Sequence, residues 1–188
     1  MSSTLSQKKI YKKVQGNIHE NFRDYFSKAG EEDLFTSFQK QEEELNDLLT
    51  SVSEKKSEYR YAEGKWTLKE LLQHLIDTER IFSYRSLAFA RHDPATLPPF
   101  DENLYADMCN ANDRQWDDLV KEFLITRNST VMLYDSFSED ALSAVGNASD
   151  YSVGVTTMGF VTIGHTKHHI DIIKERYLQQ GEHKHGKD

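Results

Sequence analysis

The chain has 188 residues and a formal net charge of -8 at pH 7, which suits one domain with an extended terminus better than two domains. An acidic chain is poorly suited to nucleic-acid binding, because phosphates are met by a positive surface. The single cysteine, Cys109, allows no intramolecular disulfide, the N-terminus lacks the apolar core of a signal peptide, and no run approaches the roughly 20 apolar residues of a membrane helix. The sequence therefore predicts a cytoplasmic protein with no nucleic-acid partner and no membrane contact.

Several segments follow helical spacing, with apolar residues recurring every three or four positions. The first helix is predicted over about residues 31–52. The second begins at Thr67, because Thr67-Leu68-Lys69-Glu70 has the form of a capping box, and it runs to about residue 91. A third is predicted from residue 112 or 113 to just before Ser138, which is expected to cap a short helix.

Two connections and a fourth helix complete the chain. All three prolines lie within residues 94–99 and mark one long connection over 92–111, and a loop is predicted over 146–150. The fourth helix is predicted over 153–179. Four long amphipathic helices in a chain of this size predict an all-α four-helix bundle. The expected boundaries are a polar N-terminal extension over 1–21, the bundle over 22–180 and a polar tail over 181–188.

Histidines on the second and fourth helices are the candidate functional residues. His165 and His169 are four positions apart, so they lie on one helical face and can reach one ion, although His165 with His168 at three positions is a competing pair. His74 lies on a row that borders the bundle interior. His74 taken alone is better explained as a partly buried, hydrogen-bonded histidine, whereas the three together favour a metal site.

An open three-histidine site permits two kinds of chemistry. Without a fourth protein ligand, one coordination position is left for water or substrate. A bound ion can lower the pKa of a water to about 7, or hold a thiol as thiolate. The ligands do not choose between these reactions, nor among nickel, zinc and iron, all of which accept imidazole.

Other polar residues interrupt the apolar rows. Asp77, one turn from His74, is either a group that orients an imidazole or a surface charge. Glu79 and Arg127 each break an apolar row and are predicted to form a structural ion pair, because buried charges need partners. The remaining predictions place Arg80 and Arg85 at one end of the bundle, Cys109 as an inert thiol, His92, His183 and His185 in solvent, and His19 without a partner.

A set of short motifs extends over about residues 22–180. The motifs are Gly64-Lys65-Trp66-Thr67, His74-Leu75-Ile76-Asp77-Thr78-Glu79-Arg80, Tyr84-Arg85, Ala88-Phe89-Ala90-Arg91, Pro98-Pro99-Phe100-Asp101-Glu102-Asn103, Asn110-Ala111-Asn112, Gly164-His165, His168-His169 and Glu175-Arg176-Tyr177-Leu178. Together they resemble the DinB-like superfamily, specifically the branch that comprises metal-dependent hydrolase-type and bacillithiol transferase-like proteins. Residues 1–20 are a polar extension that the likeness does not cover.

The resemblance implies an up-down-down-up bundle with a divalent metal ion near one end. Its ligands would be His74, His165 and His169, which selects His169 over His168. The implied function is a thiol S-transferase or hydrolase that activates a low-molecular-weight thiol or water for a small-molecule substrate, with its catalytic residues unknown. The alternative is a non-catalytic dimeric binding or scaffold protein with a structural metal, and a homodimer is expected because members of the family often dimerise. The 92–111 connection is expected to overhang the site.

Overall fold

The computed structural model describes residues 18–30 and 32–178, and these ranges form helices and one short hairpin. The helices are α1 Glu20–Lys28, α2 Leu34–Thr50, α3 Glu54–Ser57, α4 Leu68–Ala90, α5 Glu102–Met108, α6 Trp116–Asp135, α7 Glu139–Ser143 and α8 Val155–Ile172. A 3₁₀ turn at Ala111–Asp113 precedes α6, the strands are β1 Val145–Ala148 and β2 Tyr151–Gly154, and a π-helical segment, Ile173–Leu178, follows α8. None of the described helices has the length and apolar character needed to span a membrane. Most of the predicted extension and the whole predicted tail lie outside the described residues.

Side-chain caps set where the predicted helices begin. The Thr67 hydroxyl accepts from the Glu70 N–H at 3.1 Å, and the Glu70 carboxylate accepts from the Thr67 N–H at 2.7 Å, which confirms the capping box. Ser138 accepts from the Ala141 N–H at 3.2 Å and so caps α7 as predicted. Asp33 caps α2, which therefore begins a little later than the spacing alone predicts.

Contacts between helices show two parallel pairs. In α2 and α8 the residue numbers rise together, because Gln41 donates to the Ile163 carbonyl and Glu44 accepts from Lys167. In α4 and α6 they also rise together. The partners there are Ser83 with Thr130 and Ser86 with Tyr134.

Helices α4 and α8 run in opposite directions. The Tyr177 hydroxyl, beyond the end of α8, donates at 2.8 Å to the carbonyl of Trp66, just before α4. Phe82, further along α4, instead packs against His165, which lies earlier on α8, with ring centroids 5.9 Å apart. The four long helices α2, α4, α6 and α8 therefore run up, down, down, up, as the resemblance implies.

The core consists of two apolar clusters separated by a buried polar layer. On α2, the layer residue Gln41 lies between Phe38 of one cluster and Leu45 of the other. The other three long helices repeat this arrangement. Their layer residues are Glu79 on α4, Arg127 on α6 and Thr166 on α8.

The predicted ion pair lies at the centre of this layer. Arg127 Nε donates to Glu79 Oε1 at 2.7 Å and Arg127 Nη2 donates to Glu79 Oε2 at 2.8 Å, a bidentate pair that confirms the prediction. The Arg127 side chain is 0% exposed and the Glu79 side chain is 2% exposed. The guanidinium also donates to Gln41 Oε1 at 2.7 Å and to the Thr166 hydroxyl at 3.0 Å. One cation thus joins α6 to the other three long helices.

The loop predicted over 146–150 is wrong, because β1 and β2 form an antiparallel hairpin there. Its sequence is rich in Gly, Asn, Ala and Ser, which favour strands weakly. The pairing depends on a distant residue: Leu97 donates to the Asn147 carbonyl at 3.0 Å and accepts from the Ser149 N–H at 2.8 Å. Apolar periodicity within the hairpin sequence does not indicate this contact with Leu97.

Helix α1 packs on α8 at a glycine. His19, for which no partner is evident in the sequence, caps α1 through Nδ1 and lies 5.1 Å from the Tyr151 ring. A Cβ built on Gly164 would lie 1.6 Å from the carbonyl oxygen of Tyr25. The absence of a side chain at this position therefore allows the backbones of α1 and α8 to approach each other.

We expect Gly164→Ala to lower the free energy of unfolding by about 2–4 kcal/mol, because the clash is with backbone and a rotamer change cannot relieve it. In an unobstructed helix the same change would stabilise the protein by roughly 0.5–1 kcal/mol, so the two cases differ in sign. Urea unfolding measures the effect. Gly154→Ala is the control, because its nearest neighbour would be 3.6 Å away, and it should cost about 1 kcal/mol or less at a helix N-cap. A stabilised Gly164→Ala variant would show that α1 does not pack as described.

Candidate metal centre

Three histidines from two facing helices meet at one point in the bundle. His74 Nε2 lies 3.1 Å from His165 Nε2, and one ligand atom from each of His74, His165 and His169 lies within 4.8 Å of the other two. Two nitrogens bound to one ion at about 2.1 Å are roughly 3.0–3.4 Å apart for octahedral to tetrahedral angles. The His74–His165 distance falls in this range, and the 4.8 Å limit brings His169 near enough for the three residues to be a candidate metal site.

The protonation state of the cluster also fits a metal. Burial lowers the pKa of His74 to about 4. Burial, followed by the charges of neighbouring histidines, lowers the pKa of His165 and of His169 well below the usual range. All three rings are therefore neutral at neutral pH, which is the form that binds metals. His169 Nδ1 is buried without a hydrogen-bond partner among the described residues, and an ion bound through this nitrogen would offset that cost.

His168, the competing partner of His165, is outside the cluster. Its ring is half-buried and packs against Tyr25 and His169, with centroids 5.6 Å and 5.1 Å away. The structure thus brings His165 and His169 together with His74 and leaves His168 out of the cluster.

Asp77 does not orient a histidine. Its carboxylate accepts from Gln73 at 2.9 Å and lies 3.7 Å from Arg80, and burial raises the pKa of the Asp77 carboxyl. The polar group beside the cluster is Thr78, whose hydroxyl is 3.5 Å from His74 Nδ1. Asp77 is turned away from His74 toward partners on its own helix, Gln73 and Arg80.

A cavity of about 250 Å³, which we call lobe A, opens onto the three histidines. Its other walls are mainly aromatic, with one carboxylate. They include Tyr25, Trp66, Phe82, Phe100 and Glu102. The histidine cluster can therefore be reached by a small molecule.

The long connection supplies two of these walls. Phe100 and Glu102 come from it, as expected for a segment that overhangs the site. The sequence predicts no helix there, but Asp101 accepts from the N–H groups of Asn103 and Leu104 and so caps α5. The seven residues of α5 are too few to show helical periodicity. An Asp at the N-cap followed by Glu is nevertheless a usable sequence signal for the start of a helix. Nothing in the sequence distinguished Glu102 as a site residue.

Arg80 and Arg85, predicted at one end of the bundle, contact different elements. Arg80 is half-exposed and donates to Glu122 at 2.6 Å. Arg85 is buried and donates to the Tyr151 hydroxyl at 3.0 Å and to the Pro98 carbonyl at 2.9 Å. Arg85 therefore ties the long connection and the hairpin to α4.

Cys109 lies away from the histidines, on a separate cavity of about 660 Å³. Its thiol donates to the Ala106 carbonyl, and burial raises its pKa, which agrees with the predicted inert thiol. His92 is exposed beside Asp140, as predicted. His183 and His185 lie outside the described residues.

The fold and the site together define a helical bundle with three convergent histidines that could hold a metal ion, and comparison with known families identifies the bundle. The chain belongs to the DinB superfamily, whose model matches residues 37–173. Its fold is similar to that of YfiT from Bacillus subtilis, described as a probable metal-dependent hydrolase with an unusual four-helix bundle topology. The TM-score is 0.62 at 14% sequence identity, covering 88% of this chain and 91% of YfiT, so the likeness concerns the fold. No curated protein sequence matches the chain.

Proposed function

We propose that this protein is a metal-dependent enzyme that activates a low-molecular-weight thiol or a water molecule at His74, His165 and His169. The observation that carries the proposal is the set of three neutral imidazoles, within 4.8 Å of one another, facing lobe A. A divalent ion there, nickel, zinc or iron, would act as a Lewis acid that favours thiolate or hydroxide. The description of YfiT as a probable metal-dependent hydrolase supports the same class of reaction.

The walls of lobe A supply the other groups that such a reaction needs. Phe82 and Phe100 restrict water around the histidines. Glu102 is the one carboxylate that lines lobe A among the described residues, so we assign it the proton released by the thiol or water. Burial foremost, and then the charge of Glu102, raise the pKa of Tyr25, so its phenol stays protonated as a hydrogen-bond donor.

The test is a panel of thiols and electrophiles, with ester substrates for the hydrolase, assayed on protein loaded with each metal. We expect a rate above that of the metal-free protein, which falls to the metal-free rate in His165→Ala and His169→Ala because the ion is lost. Thiolate-to-metal absorption on adding thiol to the cobalt-loaded protein separates thiol from water chemistry. His92→Ala, a change at an exposed histidine that does not line lobe A, is the matched control and should stay within a few-fold of the wild type. An activity that is absent, or that survives both ligand substitutions, would contradict the proposal.

A non-catalytic scaffold with a structural metal is the second candidate. One observation favours it: an ion held by His74, His165 and His169 would link α4 to α8. In that case removing the metal should sharply lower the melting temperature without any loss of a catalytic rate. A homodimer and a cytoplasmic location are part of our proposal whichever of the two roles the metal has. Sedimentation velocity would test the dimer.

A further inference from the structure

A second cavity, which we call lobe B, borders the same histidine cluster. Its volume is about 260 Å³, and it shares Trp66 and His169 with lobe A. The other walls used below are Tyr61, Lys65 and Tyr177. Lys65 and Tyr177 belong to Gly64-Lys65-Trp66-Thr67 and Glu175-Arg176-Tyr177-Leu178, two motifs to which the proposed reaction gives no role.

The walls of lobe B are aromatic and held in place. Tyr177 is 1% exposed and is fixed by its hydrogen bond to the Trp66 carbonyl at 2.8 Å. Tyr61 packs edge-on against it, with ring centroids 5.2 Å apart. Three rings in a fixed arrangement form a slot suited to a flat or apolar body, because their contact costs little conformational entropy.

One cation, Lys65, lines lobe B, and a second, Arg176, lies beside its wall. Lys65 is the one charged residue on its wall, it is exposed, and it forms no ion pair with a carboxylate among the described residues. Arg176 lies over the Tyr61 ring at 5.3 Å. The nearby acid, Glu70, is already engaged with the Thr67 N–H and with Asn112. Lobe A differs, since its charged wall residue is the acidic Glu102.

We propose that lobe B is a substrate subsite for a small molecule with an apolar or aromatic body and a carboxylate. The body packs against the wall formed by Tyr61, Trp66 and Tyr177, the carboxylate meets Lys65, and the opposite end points to His169. This inference extends the proposed function, because the end at His169 would be the end that reacts. It also leaves lobe A free for a second molecule, as a group transfer requires.

The experiment compares 3-phenylpropionate with its uncharged amide as ligands of the metal-free protein, so that neither probe can bind an ion. Tryptophan fluorescence reports occupancy, and Trp66→Phe assigns the signal, because the other tryptophan, Trp116, is buried in the core. We expect the acid to bind about fivefold more tightly than the amide, a preference that Lys65→Met removes. Lys55→Met, an equal loss of charge at an exposed site on α3, should keep it.

Equal binding of the two probes, a preference that survives in Lys65→Met, or no response of Trp66 to either probe would overturn the subsite. The result does not depend on metal loading. A protein that selects the acid but shows no metal-dependent activity would keep lobe B and refute the proposed reaction. A protein that is active but binds the acid and the amide equally would refute the subsite in lobe B and keep the proposed reaction.

Discussion

His165→Ala is expected to weaken binding of nickel, zinc or iron at least about 100-fold, because it removes one of only three protein ligands. His165 lies 3.1 Å from His74 through their Nε2 atoms, and its ring is 4.7 Å from that of His169. The remaining two imidazoles come from different helices and would have to share the ion with water. Elemental analysis of untagged protein gives the stoichiometry, and competition with a chelator gives the affinity.

His168→Ala is the matched control for this experiment. It removes a neighbouring imidazole that packs against Tyr25 and His169 but lies outside the cluster, so the affinity should change by no more than a few-fold. Circular dichroism confirms that both variants are folded. If His168→Ala loses the ion while His169→Ala retains it, the site is built from His165 and His168 and our ligand assignment is wrong.

The sequence was informative about this centre where its residues lie on long helices. Helical spacing puts His165 and His169 on one face, and the capping box fixes the phase of α4, so that His74 borders the interior. Spacing alone could not separate His169 from His168, because both positions are within reach of His165. That choice depended on the resemblance to the DinB-like proteins, and the cluster in the structure agrees with it.

The walls around the histidines were not predictable in the same way. Tyr25 reaches lobe A from α1, whose position depends on the close contact at Gly164. Glu102 reaches it from a connection held to α4 by Arg85. The hairpin likewise depends on Leu97. In each case the position is set by a contact between distant parts of the chain, which periodicity and propensity do not report.

Arg127→Met is expected to lower the free energy of unfolding by about 3–5 kcal/mol, because it leaves the Glu79 carboxylate buried without its counter-charge. Gln41 and Thr166 would also lose the donor they accept from. Urea unfolding of the metal-free protein measures the change in the free energy of unfolding. The dependence of that free energy on urea concentration should stay the same, because a changed slope would indicate a change in the compactness of the unfolded or folded state. Arg80→Met is the control: its partner Glu122 is nearer the surface and the pair should contribute no more than about 1 kcal/mol.

The double variant Glu79→Leu/Arg127→Met separates the contribution of the pair from the cost of breaking it. Removing both charges leaves no unpaired ion, so the double variant should recover most of the stability that Arg127→Met loses. Arg127 also contacts Thr166, the neighbour of His165, so the pair fixes the position of α8 against α6. We therefore expect the double variant to regain stability while its metal affinity stays below that of the wild type. Full recovery of both stability and metal affinity would show that the polar layer does not position the histidines. A double variant as unstable as Arg127→Met would show that the loss of stability comes from packing and not from the unpaired Glu79 charge.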